Sequence, residues 1–414
     1  MTNQISFDPH TVRNQFPALQ LEVNGRTAVY LDGPGGTQVP QRVIDAISGY
    51  LARGGSNQGG PFLTSRYSDE VMAAARQAMM DFYHARRPEE IIFGQNMTSL
   101  TFAFSRALAQ TWQPGDEIIL TRLDHDANIT PWMMAAADRG VTVRWLDFDP
   151  ADCTLRLDLL PGLLNEKTRL VAVTYASNAV GSITDVRRVV ELAHEAGALA
   201  FVDSVHYAPH GLIDVQALDC DFLIASVYKF FGGHVGALYG KYDLLAELKA
   251  YKVRPSSPRP PGKWETGTQS FESLAGVTAA VDYIATIGGE TNGRRERLVQ
   301  AMSQIKTYET GLSYHFLEGA ARIPGLRVYG ITDVENLEQR TPTFAVSLEG
   351  HSPEEVAVRL GDQDVFVWHG DYYAVAVMER LGLADKGGLV RIGFVHYNTH
   401  DEVDQALAAL AALA

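Results

Sequence analysis

Two short apolar runs constrain what this chain can fold into. They are residues 198–202, Ala-Leu-Ala-Phe-Val, and residues 222–225, Phe-Leu-Ile-Ala. Each is too short for a helix and is bounded by polar residues and glycines, so each reads as a buried strand. Each also ends in a polar cluster. The first run delivers Asp203 and His206, the second Ser226, Tyr228 and Lys229. The chain between them has room for one crossover and one strand. In open parallel sheets, ligands bind outside the carboxyl ends of such strands.

These residue types carry a specific chemistry. A lysine amine beside an aldehyde condenses to a Schiff base. A carboxylate opposite a pyridinium nitrogen keeps that ring protonated, so the ring acts as an electron sink. Schiff-base lysine and Asp partner together are the combination that holds pyridoxal 5'-phosphate. Lys229 and Asp203 are the candidates. The plain alternative is a surface lysine and a capping aspartate. Lys229 stands directly after a buried run, inside Ser226-Val-Tyr-Lys-Phe-Phe-Gly-Gly233, and that setting favours the cofactor reading.

Other strand ends repeat the pattern. Gln95-Asn-Met-Thr-Ser99 is a polar turn opening a helix. Its free N–H groups, with the Thr98 and Ser99 hydroxyls, make an anion site or simply an N-cap. His125 follows the strand at residues 117–120 within Asp124-His-Asp-Ala-Asn128. There it can stack on a ring, move a proton or serve structure alone. Ser177-Asn-Ala-Val-Gly181, with Asn178, ends the strand at residues 170–175. Asp32-Gly-Pro-Gly-Gly-Thr is either a tight turn or a loop that approaches a ligand through its backbone. The Met/Ala stripe over residues 68–82 is core packing.

The strand–helix alternation predicts an α/β fold. A mostly parallel sheet lies between helices, with right-handed crossovers. Residues 1–40 read as an N-terminal arm that joins a small domain, and residues 41–270 as a large cofactor-binding domain. Residues 271–414 read as hinge helices and a small α+β C-terminal domain. Lys and Arg number 35 against 49 Asp and Glu, a net charge of −14. That balance argues against nucleic acid or an anionic membrane as partner. The polar start and the lack of a membrane-length apolar run make a cytoplasmic location the expectation. Cys153 and Cys220 stand in unrelated contexts and suggest neither a disulfide nor a metal site.

The chain resembles class V aminotransferases of pyridoxal phosphate fold type I, and within them cysteine desulfurases and selenocysteine lyases. Tyr30-Leu-Asp, Glu89-Glu-Ile-Ile-Phe, Gly115-Asp-Glu-Ile-Ile, Asn128-Ile-Thr-Pro-Trp and Lys167-Thr-Arg-Leu-Val-Ala-Val-Thr carry the resemblance. It continues through Ser177-Asn, Ala193-His-Glu-Ala-Gly, Asp214-Val-Gln-Ala-Leu-Asp-Cys-Asp-Phe, Glu265-Thr-Gly-Thr and His396-Tyr-Asn-Thr-His-Asp-Glu-Val-Asp. The resemblance implies that Lys229 is the Schiff-base lysine, Asp203 the pyridinium partner and His125 the ring-stacking residue. It implies phosphate contacts from Thr98 and Ser226, and an Asn178 contact to cofactor or substrate. Thr268 would reach the phosphate of a neighbouring subunit, which implies a homodimer. Arg391 would clamp the substrate carboxylate, a task suited to its bidentate fork. An ordinary sheet-edge ion pair is the other reading of Arg391.

The chain departs from the desulfurase pattern at three places. His206 stands where desulfurases have Gln, on the cofactor's phenolate side, and Tyr228 replaces the His before the lysine. The desulfurase loop Arg-x-Gly-His-x-Cys-Ala is here Trp368-His-Gly-Asp-Tyr-Tyr-Ala374, with Tyr373 in the place of the cysteine. A persulfide needs a thiolate nucleophile. The expected function is therefore C–S or related β-lyase chemistry on a small α-amino acid. The alternatives are an aminotransferase, a true desulfurase with a relocated nucleophile, and a non-catalytic binding protein. Nothing in the sequence points to a sulfur-acceptor partner.

Overall fold

The computed structural model describes residues 7–290 and 293–414. The first six residues of the expected arm lie outside the described residues, as do residues 291–292 between the two expected hinge helices.

Seven strands form the main sheet: β1 (Ile91–Gly94), β2 (Glu117–Thr121), β3 (Thr142–Leu146), β4 (Thr168–Thr174), β5 (Leu199–Asp203), β6 (Phe222–Ser226) and β7 (Gly236–Gly240). Their spatial order is β1-β7-β6-β5-β4-β2-β3. Only β7 runs antiparallel to its neighbours. Every residue of β6 is buried, as is every residue of β5 except Leu199. Helices cover both faces, which is why these strands read as continuous apolar runs. Successive residues still point to opposite faces. Val202 and Leu223 join one apolar cluster, with Phe82 and Val277, while Phe201 and Phe222 join the other, with Phe104 and Trp132.

The helices that matter for the site are α1 (Gln41–Ala52), α2 (Leu63–Tyr83), α3 (Met97–Ala109), α4 (Thr130–Arg139), α5 (Phe271–Ile287) and α6 (Arg294–Ala320). α5 packs against α1 and α2 on one face of the main sheet. The polar turn Gln95–Ser99 is not separate from the helix it opens: α3 begins at Met97. The Asn96 side chain caps it by accepting the Ser99 N–H, so the polar turn is already the first turn of helix.

A second sheet has four strands: β8 (Leu326–Tyr329), β9 (Thr343–Leu348), β10 (Trp368–Gly370) and β11 (Leu389–Gly393). It is antiparallel in the order β8-β9-β11-β10. Its own core joins Leu312 and Phe316 of α6 to Phe344, Ile392 and Val403. The N-terminal segment is stitched to this sheet. Val29–Tyr30 pairs with Val365–Phe366, and Asp32 bridges Gly393. Residues 365–370 do not run as one strand: Val365–Phe366 pairs with this segment, while Trp368 begins β10 beside β11. No helix among the described residues is long and apolar enough to cross a membrane.

Candidate active site

The carboxyl ends of β4, β5 and β6, the start of α3, the 32–36 loop, the 368–373 segment and β11 enclose one cavity of about 810 Å³. Lys229, Asp203, His206, His125, Thr98, Ser226, Asn178 and Arg391 all line it. Thr268 does not. It is exposed on the segment leading to α5, and nothing within one chain brings it to the cavity.

Lys229 follows β6 in a short 3-10 turn, Val227–Lys229. Its Nζ donates to the carbonyls of Pro34 at 2.5 Å and Gly35 at 3.0 Å. The 32–36 loop thus meets the reactive amine through its backbone. A Cβ at residue 35 would stand 2.3 Å from Trp368 Nε1, so glycine lets the loop come this close without displacing that ring. Burial pushes the Lys229 amine down to about 7, and the Arg391 cation adds to the shift. A large fraction of this lysine is therefore unprotonated near neutrality, as a nucleophilic amine must be.

Asp203 ends β5 and accepts the Val205 N–H at 2.9 Å. Burial pushes its carboxyl up to about 6, opposed by that N–H and by Lys229. A cationic ring nitrogen placed against it would favour the ionised form. His125 Nδ1 accepts the Ala127 N–H at 3.0 Å, so its ring hydrogen lies on Nε2. Burial, then Lys229 and Arg391, push His125 down to about 4, which keeps the ring neutral. Asp124 holds its loop. It pairs with the Thr121 hydroxyl and accepts from Asn128 Nδ2 at 2.7 Å, and burial pushes it up to about 8.

The start of α3 forms the anion end. Ser226 Oγ accepts the Met97 N–H at 3.0 Å. Asn96 Oδ1 accepts the Ser99 N–H at 2.9 Å. The Thr98 N–H also lies in the first turn, where a helix offers no acceptor, and Thr98 lines the cavity. α3 can press this close to the sheet because residue 236 is glycine. A Cβ there would stand 2.5 Å from the Asn96 carbonyl carbon.

Arg391 sits within β11, between β9 and β10, and is buried. It makes no salt bridge among the described residues, so it is not an ordinary sheet-edge ion pair. Its Nη1 donates to the Asn178 carbonyl at 2.9 Å, and the guanidinium lies 4.5 Å over the Tyr372 ring. Burial pushes it down to about 10, which leaves it cationic. Its Nε and the Asn178 Oδ1 are buried without partners. Two orphaned polar atoms, an aldehyde-reactive amine, a carboxylate, a flat neutral imidazole and a helix start match the groups of pyridoxal phosphate and an amino-acid carboxylate.

Neither cysteine lines the cavity. Cys153 packs among Phe148, Ala179 and Tyr329, and burial pushes its thiol up to about 12. Cys220 is fully buried just before β6, and burial raises its thiol likewise. Tyr373 holds the corresponding loop position and is exposed at the cavity mouth. Sequence reasoning missed the Tyr372 platform under Arg391 and the Asp124 anchor behind His125. The paired tyrosines of the loop were the one available signal for Tyr372. Nothing marked Asp124.

Fold and cavity define a class, the pyridoxal-phosphate-dependent enzymes of fold type I. Within it, this chain belongs to the class V aminotransferase family, whose model matches residues 29–406. It is 33% identical over 425 residues to a cysteine desulfurase of Synechococcus elongatus, across 98% of this chain and 64% of that protein. The chain thus spans less than two thirds of that relative. It is 32% identical over 421 residues to a cysteine desulfurase of Serratia proteamaculans, across 98% of both. The solved structure of the cysteine desulfurase CsdA from Escherichia coli, an S-sulfonic acid form, superposes with a TM-score of 0.85. It shares 26% identity and covers 97% of each chain.

Proposed function

We propose that the protein is a C–S or related β-lyase that acts on a small α-amino acid without forming a persulfide on the enzyme. The observation that carries this reading is Tyr373. It stands at the cavity mouth where the desulfurase pattern has cysteine, while both thiols are buried away from the cavity. Bound pyridoxal phosphate supplies the electron sink that stabilises negative charge at the substrate Cα.

The chain's own residues do the rest. Lys229 anchors the cofactor aldehyde. Freed from that anchoring role, its Nζ would act as base toward the substrate Cα proton, a role matched to a group near neutrality. Asp203 holds a proton on the ring nitrogen. Thr98, Ser226 and the start of α3 would hold the phosphate, and His125 would lie against the ring. Arg391 and Asn178 bind and orient the substrate carboxylate. No thiol among the cavity-lining residues stands ready to receive a leaving group from Cβ. Thr268 belongs to a partner subunit's site in a homodimer.

Incubation of purified protein with a panel of amino acids tests this, scoring sulfide, pyruvate, alanine and keto acid. Sulfide with pyruvate supports the lyase. Keto acid formed only with an amino acceptor present makes the protein an aminotransferase. Borohydride reduction and peptide mapping should place the pyridoxyl group on Lys229, and its recovery on another lysine refutes the assignment.

A further inference from the structure

A line of buried polar side chains runs from the cavity wall to a second, much smaller hollow of about 10 Å³, room for one water. The line starts at His206, which is buried and lines the cavity. Its Nε2 lies 3.2 Å from Thr341 Oγ1, and the Thr341 hydroxyl donates to the Gly181 carbonyl at 3.3 Å. With its single hydrogen given to that carbonyl, the hydroxyl is left to accept from His206, an arrangement that puts the imidazole hydrogen on Nε2 and the lone pair on Nδ1.

His210 follows on the next turn, its ring edge-on to His206 with centroids 5.4 Å apart and planes at 66°. His210 Nδ1 pairs with Glu309 Oε2 at 2.8 Å, and the two side chains are 4% and 3% exposed. Glu309 comes from α6, a separate element, and its Oε1 has no partner. Burial raises its carboxyl above the usual range, opposed first by His210. Burial first, then His210, Arg391 and Lys229, push the His206 imidazole well below its ordinary value, which keeps it neutral. His396 stands beside His210, with Tyr283 bonded to its Nε2 at 2.6 Å. Lys306 and Arg340 line the hollow. Asp203, Asp126 and Asp371 are the carboxylates lining the cavity side. An apolar residue would join α6 to the sheet as well as Glu309 does, and a buried carboxyl is costly to keep.

We propose that Glu309 and His210 are positioning residues that hold His206 as a neutral Nε2–H imidazole, leaving Nδ1 free to accept a hydrogen bond in the cavity. Glu309 clamps the His210 ring, and the edge of that ring sets the plane of His206 so that Nε2 stays on Thr341. A neutral acceptor on this wall favours the protonated form of the group facing it. The effect on the cofactor rests on the reading of the cavity as a pyridoxal phosphate site, whereas the tautomer does not.

Two measurements test the proposal. NMR of protein labelled with ¹⁵N-histidine reports ring tautomers, with His206 assigned from the signal lost in His206→Gln. The wild type, free of cofactor, should show Nε2–H at His206. Glu309→Leu, and the isosteric Glu309→Gln as a guard against misfolding, should shift it toward Nδ1–H. In loaded protein the pH midpoint of the cofactor's visible absorbance should fall by about one unit in Glu309→Leu and His210→Phe. Lys306→Ala, at the same hollow but bonded to the Glu338 carbonyl and to neither ring, should leave it in place. A His206 tautomer unchanged in both Glu309 variants overturns the proposal, and so does an absorbance midpoint that ignores a changed tautomer. Failure of borohydride mapping at Lys229 would count against the cofactor reading alone, because the tautomer of the cofactor-free protein still decides this one.

Discussion

The Tyr373 ring lies over the His125 imidazole, with centroids 5.6 Å apart and planes 14° from parallel. The Tyr373 carbonyl accepts the Asp126 N–H at 2.7 Å, which ties the 368–373 segment to the loop that presents His125. Tyr372 and Tyr373 both take left-handed backbone angles, each with φ +57°. That conformation is unfavourable for residues other than glycine and persists only where the surroundings hold it. The segment that carries a nucleophile in desulfurases is here built as an aromatic wall.

Its first consequence concerns sulfur. The double variant Cys153→Ala, Cys220→Ala should keep its turnover, because both thiols are buried outside the cavity. Mass spectrometry after incubation with cysteine should find no protein-bound persulfide. A stoichiometric persulfide on either cysteine, with turnover lost in the double variant, would show a relocated nucleophile.

Lys229 gives a pH dependence. An amine captures an aldehyde only when unprotonated, and burial holds Lys229 near 7 rather than its ordinary value of 10.5. The rate at which cofactor-free protein takes up pyridoxal phosphate should rise with pH through about 7 and then level off. Stopped-flow absorbance measures it. A rate still climbing toward pH 10 would describe an exposed lysine and contradict the burial argument.

Asp203→Ala should still bind the cofactor, since Lys229 and the start of α3 are untouched. It should lose most exchange of the substrate Cα hydrogen in deuterated solvent, because the ring nitrogen would lack the carboxylate that keeps it protonated. NMR of the amino acid follows the exchange directly, and wild-type exchange in the variant would refute the role.

Arg391→Lys keeps the charge and loses the fork. The loss of one charge-assisted hydrogen bond is worth about 1.5–3 kcal/mol, or about a 10- to 150-fold rise in KM with a smaller change in kcat. Steady-state kinetics on the substrate found by the panel separates the two. Equal losses in kcat and kcat/KM would instead place Arg391 in the transition state alone.

The strand-end cluster was legible because burial on both faces forces β5 and β6 into unbroken apolar runs, so each polar residue that follows marks a sheet edge. Lys229, Asp203 and Ser226 were found that way. His125 and Asn178 were visible by the same logic but kept bland alternatives until the cavity brought them together. The exact start of α3 is not legible in sequence, because a polar first turn looks like loop. The split at residues 365–370 was invisible, since alternation along one strand does not say which partner it pairs with.

The sequence by itself determined the layered α/β architecture, the lysine–aspartate pair and the absence of a loop cysteine. These depend on local patterning and residue identity, which the chain carries in order. Tertiary structure alone decided that Arg391 faces Asn178 and Tyr372 instead of a carboxylate, and that Pro34 and Gly35 receive the Lys229 amine. It also decided that Glu309 of α6 reaches His210. Those pairs lie far apart along the chain. Which of them meet depends on how the two sheets and the N-terminal segment pack, and no local periodicity encodes that.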